Sequence, residues 1–109
     1  MDFPDSQLFV YGLLLDPAER VRLLGHPVDT ESARLEGYER GRRRYYFVTP
    51  REGTDVNGEV LSGLDERDFS ILDEFEEVPR LYTRDRVDVV ISKGRRVRCW
   101  IYLPTGWER

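Results

Sequence analysis

Hydrophobic positions along this chain repeat with two different periods, and each change of period marks an element. Gln7 to Tyr11 is rich in β-branched and aromatic residues and is broken by Gly12, which predicts a buried first strand ending in a glycine turn. Asp16-Pro17 then offers an N-cap followed by proline at the first helical position. A short helix follows, with Ala18, Val21 and Leu24 expected inward, Glu19, Arg20 and Arg22 outward, and Gly25 as its stop. Ala33 to Tyr38 reads as a strand interrupted by Gly37, and Arg43 to Thr49 as another that ends at Pro50. A polar turn over Arg51 to Asp55 leads into a strand from Val56 to Leu61, in which Gly58 marks a close backbone approach or a bulge. Glu59 follows directly, and alternation alone leaves it free to face the interior or solvent.

The longest helical pattern runs from Asp65, an N-cap with Asp68 three residues on, and its apolar stripe is Phe69, Leu72 and Phe75. At the helical pitch Glu76 falls roughly 40° from the centre of that stripe, so it points inward, whereas Glu74 and Glu77 project to the sides or to solvent. Three carboxylates also crowd a helix end where the macrodipole favours cations. Such local rule-breaking is expected at functional sites. Two readings of Glu76 follow: a boundary residue whose stem covers the core while its head reaches water, or a general acid/base whose pKa burial raises towards neutrality.

Val78-Pro79 ends this helix, and Leu81 to Arg84 leads into a strand that continues through Val87, Val89 and Ile91. Ser92 to Arg95, with Lys93-Gly94, predicts a hairpin turn, and the last strand carries Val97, Cys99, Ile101 and Leu103 between Arg98, Trp100 and Tyr102. Being apolar on nearly both faces, that strand is expected to be central. Trp107, in the tail, is placed to cover a pocket or one open end of the sheet. The sum is about six strands and two helices, an α+β fold with a curled mixed sheet or small β-barrel.

Composition narrows the function. At 109 residues, 39% apolar and 35% charged, residues 1–109 are expected to form one soluble domain with a core that needs no staple. A net charge of −4 disfavours general nucleic-acid binding. The basic and aromatic run Arg40 to Phe47 is equally explained as the charged end of an edge hairpin. One cysteine and one histidine leave no internal disulfide and no zinc set. His26 is expected in a solvent-facing loop, and Cys99 as a small buried hydrophobe with no histidine to activate it. No stretch approaches a membrane span, and the residues before LFVYGLLL carry aspartates and no Lys or Arg, unlike a secretory signal, so a cytoplasmic protein is expected.

Three separated motifs, LFVYGLLLDP at Leu8 to Pro17, NGEVL at Asn57 to Leu61 and LDEFEEVPRLYTR at Leu72 to Arg84, together resemble the gamma-glutamylcyclotransferase-like superfamily, most of all its gamma-glutamylaminecyclotransferase and avirulence-induced-protein branch. The resemblance spans nearly the whole chain and implies a small mixed barrel flanked by helices. It implies that Tyr11, Gly12, Leu13 and Leu14, matching YGxL, bind the glutamyl group, and that Glu76, in the LDxFE pattern, accepts and donates the proton. Tyr82, from the YxR pattern, is implied as pocket wall or hydroxyl donor, and Arg84 as its arginine or a structural ion-pair partner. The implied substrate is a small gamma-glutamyl amine or amide, the product 5-oxoproline, and no cofactor or metal is called for. Leu13 stands where many members have Ser or Thr, and Glu77 where glycine often follows the glutamate. The alternative is a member that keeps barrel and pocket but binds a metabolite or a protein without turnover, and a third reading, an RNA-binding module, would depend on Arg42, Arg43 and Arg44.

Overall fold

The computed structural model describes residues 6–42 and 46–105. Arg43, Arg44, Tyr45 and Trp107 therefore lie outside the described residues. The chain runs β1 (Leu8–Val10), a 3-10 turn (Leu13–Leu15), α1 (Pro17–Leu24), β2 (Asp29–Arg42), β3 (Tyr46–Ser62), α2 (Glu66–Phe75), β4 (Tyr82–Val90) and β5 (Arg96–Pro104). The strands close into a barrel in the order β1-β3-β2-β4-β5. The pairs are antiparallel except β1 with β5, where Leu8 lies beside Trp100 in parallel register. The fold is thus a small mixed barrel with two helices, as expected, but among the described residues it has five strands where about six were counted.

The difference arises at Pro50. The ladder between β2 and β3 steps from Glu36 opposite Asp55 to Tyr38 opposite Pro50, so Arg51 to Thr54 face the single residue Gly37. Gly37 (φ 80°) and Gly53 (φ 84°) supply the left-handed conformations this bulge needs, and the Thr54 hydroxyl donates to the Tyr38 carbonyl at 2.8 Å. The expected polar turn exists, but as an excursion within one long strand.

Side-chain alternation divides the core into two layers. Phe9, Leu35, Val60, Val89, Cys99 and Ile101 fill the barrel, while Leu8, Val10, Leu61, Trp100 and Tyr102 face outward beneath α1 and α2, against Leu24, Phe69 and Leu72. This two-sided burial is why β5 reads as apolar on both faces. Cys99 is fully buried, and burial pushes its thiol up to about 12, the state of an inert packing residue.

Both helix starts follow their sequence signals. Asp16 caps α1 by accepting from the Ala18 N–H, and Asp65 and Asp68 form a reciprocal capping box on α2. The faces of α1 depart from the expected pattern: Val21 is 45% exposed and Arg20 only 6%. Side chains on a helix lean towards its N-terminus, so Arg20 folds back over the turn before α1 and finds carbonyl partners there. His26 also departs from a purely solvent role, because its Nε2 lies 2.7 Å from Oδ1 of the buried Asp68.

Candidate active site

The end of β1, the turn after it and the end of α2 meet at one open end of the barrel and enclose a cavity of about 320 Å³. Tyr11, Gly12, Leu13, Leu14, Glu76 and Tyr82 all line it, with Tyr46, Phe75 and Tyr102 among the further wall residues. The six positions singled out by the sequence, scattered over about seventy residues of chain, are therefore brought to one place.

Glu76 is placed by the way α2 stops. It is the C-cap, with its N–H donated to the Leu72 carbonyl at 2.8 Å, and Glu77 beyond it takes a left-handed conformation at φ 55°. That conformation is one glycine adopts most readily, and here a glutamate takes it. Glu74 and Glu77 are exposed and Glu76 is half-buried. Among the described residues the Glu76 carboxylate makes no hydrogen bond or ion pair, and loss of solvation raises its pKa to about 7.

Three phenols line the cavity together with this carboxyl, and each donates its proton to an acceptor. Tyr11 Oη donates to the Tyr102 carbonyl at 2.6 Å, Tyr102 Oη to Asp73 Oδ1 at 2.7 Å, and Tyr82 Oη to the Tyr46 carbonyl. Burial first, then neighbouring negative charge that includes Glu76, keeps the Tyr11 hydroxyl protonated well above its usual range. Burial and the bond to Asp73 do the same for Tyr102. Tyr82 is thus a wall residue whose hydroxyl is engaged in the frame. Arg84 pairs with Asp73, Nε to Oδ1 at 3.1 Å, and its guanidinium lies between the rings of Phe69 and Trp100, at 4.6 and 4.5 Å from their centroids.

On the same cavity the chain turns tightly after Gly12, where an added Cβ would lie 3.0 Å from the Tyr46 side chain. Leu15 N–H donates to the Gly12 carbonyl at 3.0 Å and Asp16 N–H to that of Leu13 at 3.2 Å. The N–H groups of Leu13 and Leu14, at the start of this turn, have no partner among the described residues, as expected of the first donors of any helical turn. Leu13 is 53% exposed and sets an apolar side chain at the cavity mouth. Among the described residues no cluster of three or more His, Cys, Asp or Glu side chains is placed to hold a metal, and no helix is long and apolar enough to cross a membrane.

Sequence reasoning missed Tyr102, Asp73, Arg40 and Arg20. Arg40, in the basic run, turns towards β1 and donates to the Tyr11 carbonyl at 2.9 Å, and both Arg40 and Arg42 lie over the Tyr46 ring. Arg20 pairs with Glu59 at 3.4 Å, which assigns Glu59 a partner in α1. The available signal for Arg20 was its place in the first turns of a helix that directly follows the glycine turn.

A closed mixed barrel thus holds a cavity lined both by Glu76, whose carboxyl pKa burial raises to about 7, and by the turn from Gly12 to Leu14. The family model that matches residues 8–108 is that of gamma-glutamyl cyclotransferase, AIG2-like. The chain belongs to that family. AIG2-like protein C of Arabidopsis thaliana is 40% identical over 88 residues, covering 78% of this chain and 50% of that protein. A Methanocaldococcus jannaschii protein, whose name joins gamma-glutamylcyclotransferase to a candidate RNase, is 26% identical over 99 residues, 88% of this chain and 45% of that one. An Arabidopsis thaliana protein solved in solution superposes with a TM-score of 0.84 at 27% identity, covering 95% of this chain and 71% of the other. This chain spans about half the length of the curated relatives it matches.

Proposed function

We propose that this chain is a cofactor-independent gamma-glutamylcyclotransferase that releases 5-oxoproline and a free amine from a gamma-glutamyl amine or amide. The observation that carries this reading is the Glu76 carboxyl, unpaired among the described residues and near neutrality, lining the same cavity as Leu13 and Leu14, whose N–H groups have no partner among the described residues. The substrate supplies its own nucleophile. Glu76 takes a proton from the substrate α-ammonium, the freed amine attacks the γ-carbonyl, and a five-membered ring closes through a tetrahedral oxyanion. Ring closure leaves two hydrogens on the ring nitrogen. The bond to the departing nitrogen breaks as Glu76 returns the first proton to it. Glu76 then passes the second, lost by the ring nitrogen as it becomes a lactam, to the freed amine, which leaves as an ammonium ion.

Each part of the pocket serves one need of this reaction. A base near pH 7 can both take and return the proton. The Leu13 and Leu14 N–H groups stabilise the oxyanion, typically about 3 kcal/mol per donor. The ring walls hold the glutamyl chain folded on itself, which supplies the intramolecular advantage. The family membership supports the reaction class, and the leaving amine is chosen by the cavity mouth around Leu13.

The test is 5-oxoproline release from a series of gamma-glutamyl amines by purified protein and by Glu76→Gln. The expected result is turnover by the first and a loss of at least a hundredfold in the second. Equal turnover by the two would remove the role assigned to Glu76. Binding of the same compounds without any turnover would make the chain a binding module.

A further inference from the structure

The carbonyl groups of the segment Tyr11 to Leu15 are all taken. Arg40 Nη1 donates to the Tyr11 carbonyl at 2.9 Å. Leu15 and Asp16 N–H occupy the Gly12 and Leu13 carbonyls. Arg20 Nη1 donates to the carbonyls of Leu14 at 2.9 Å and Leu15 at 3.2 Å, and its charge is balanced by Glu59 at 3.4 Å. We infer that Arg20 and Arg40 are positioning residues that occupy the outward carbonyls of this segment, so that it offers only N–H donors to the cavity. The inference rests on the reading of the cavity as a cyclotransferase site.

Peptide planarity carries the argument from arginine to donor. The Leu14 and Leu15 carbonyls share their planes with the N–H groups of Leu15 and Asp16. Holding those two planes aims the N–H groups at the Gly12 and Leu13 carbonyls, whose own planes carry the N–H groups of Leu13 and Leu14 that have no partner among the described residues. A three-residue 3-10 turn has too few internal bonds to fix this by itself. Arg20, with a side chain only 7% exposed, supplies the missing constraint from behind. Its burial is compensated by three acceptors, which is how a buried cation is tolerated.

The experiment uses the double variant R20M/E59L, which removes cation and carboxylate together and so strands no charge, with R20K and R40A beside it. Amide hydrogen exchange at Leu15 and Asp16 reads the turn independently of turnover. In R20M/E59L it is expected to speed up at least tenfold while the β3 and β5 amides keep their protection. In R40A the Gly12 amide resonance shifts, because that N–H shares a plane with the freed Tyr11 carbonyl. For 5-oxoproline release from a gamma-glutamyl alkylamine, kcat is expected to fall about 10- to 100-fold in R20M/E59L with KM within twofold, since an oxyanion exists only in the transition state. R20K, which keeps the cation, recovers part of that loss.

Wild-type exchange at Leu15 and Asp16 in R20M/E59L, or an unmoved Gly12 resonance in R40A, overturns the inference. R40A tests it even if the double variant does not fold, since Arg40 is exposed. Absence of turnover in the unmodified protein would instead strike the cyclotransferase reading, leaving the exchange results to decide the positioning role alone.

Discussion

Three residues before Glu76, Asp73 accepts the Tyr102 hydroxyl at 2.7 Å. The same carboxylate pairs with Arg84, so the end of α2 is tied to β4 and β5 through one acceptor. Since Glu76 is the C-cap of α2, whatever fixes this end of the helix fixes the carboxyl over the cavity.

Asp73→Ala removes that acceptor and leaves a buried phenol and a guanidinium without it. The expected loss is about 1–3 kcal/mol in urea unfolding at pH 7. A change below about 0.5 kcal/mol would show that Tyr102 and Arg84 find other partners at no cost.

The Glu76 carboxyl gives stability a pH dependence of definite sign. Its folded pKa of about 7 lies above the ordinary carboxyl value of 4.5, so between those two values the unfolded chain has released a proton that the folded chain still holds. Stability contributed by the neutral form is present below about pH 4.5 and declines as pH rises towards 7. Glu76→Gln lacks this decline and should be more stable than the parent above pH 7, by about 1–3 kcal/mol after allowance for partial exposure. Parallel stability curves for the two proteins between pH 4.5 and 8 would contradict this.

His26 acts in the same sense, over a higher pH range. Its Nε2 faces Asp68 and its Nδ1 faces the Pro27 carbonyl, so both ring nitrogens are asked to donate, which only the imidazolium does. The bond to Asp68 chiefly, then that to Pro27, raises its pKa above the usual 6.5. The contribution is full below pH 6.5 and lost as pH rises through the raised value. The stability difference between the protein and His26→Ala is expected to shrink as pH rises above 6.5, and a difference that grows with pH would refute the assignment.

Gly58 tests the closure of the barrel. An added Cβ would lie 2.2 Å from the Val10 carbonyl oxygen and 2.8 Å from the Phe9 ring. Gly58→Ala should therefore cost about 2 kcal/mol or more in urea unfolding, since β1 must move for the methyl to fit. An unchanged midpoint would show β1 to be more loosely held than the contacts imply.

What the sequence revealed and what it concealed have a common physical basis. Glu76 was legible because helical period places one glutamate of three near an apolar stripe, and Gly58 because a glycine inside a strand marks close approach. Arg20 was not. Hydrophobic periodicity assigns a charged residue outward, and it carries no record of backbone carbonyls, left by a neighbouring turn, that draw a guanidinium inward. The count of about six strands, against five among the described residues, differs for a related reason: Pro50 and the polar residues after it read as an end, although Gly37 and Gly53 let the ladder bulge and resume. Asp68 was visible as half of a capping box, but its bond to His26 joins residues 42 apart and has no local signature.

The central claim is that Glu76 is the proton-transferring group, and kcat/KM for 5-oxoproline formation against pH tests it most directly. The account predicts an acid limb with an apparent pKa near 7 in the parent protein and at least a hundredfold loss in Glu76→Gln. An acid limb near the ordinary carboxyl value, or one that persists unchanged with full activity in Glu76→Gln, would contradict it.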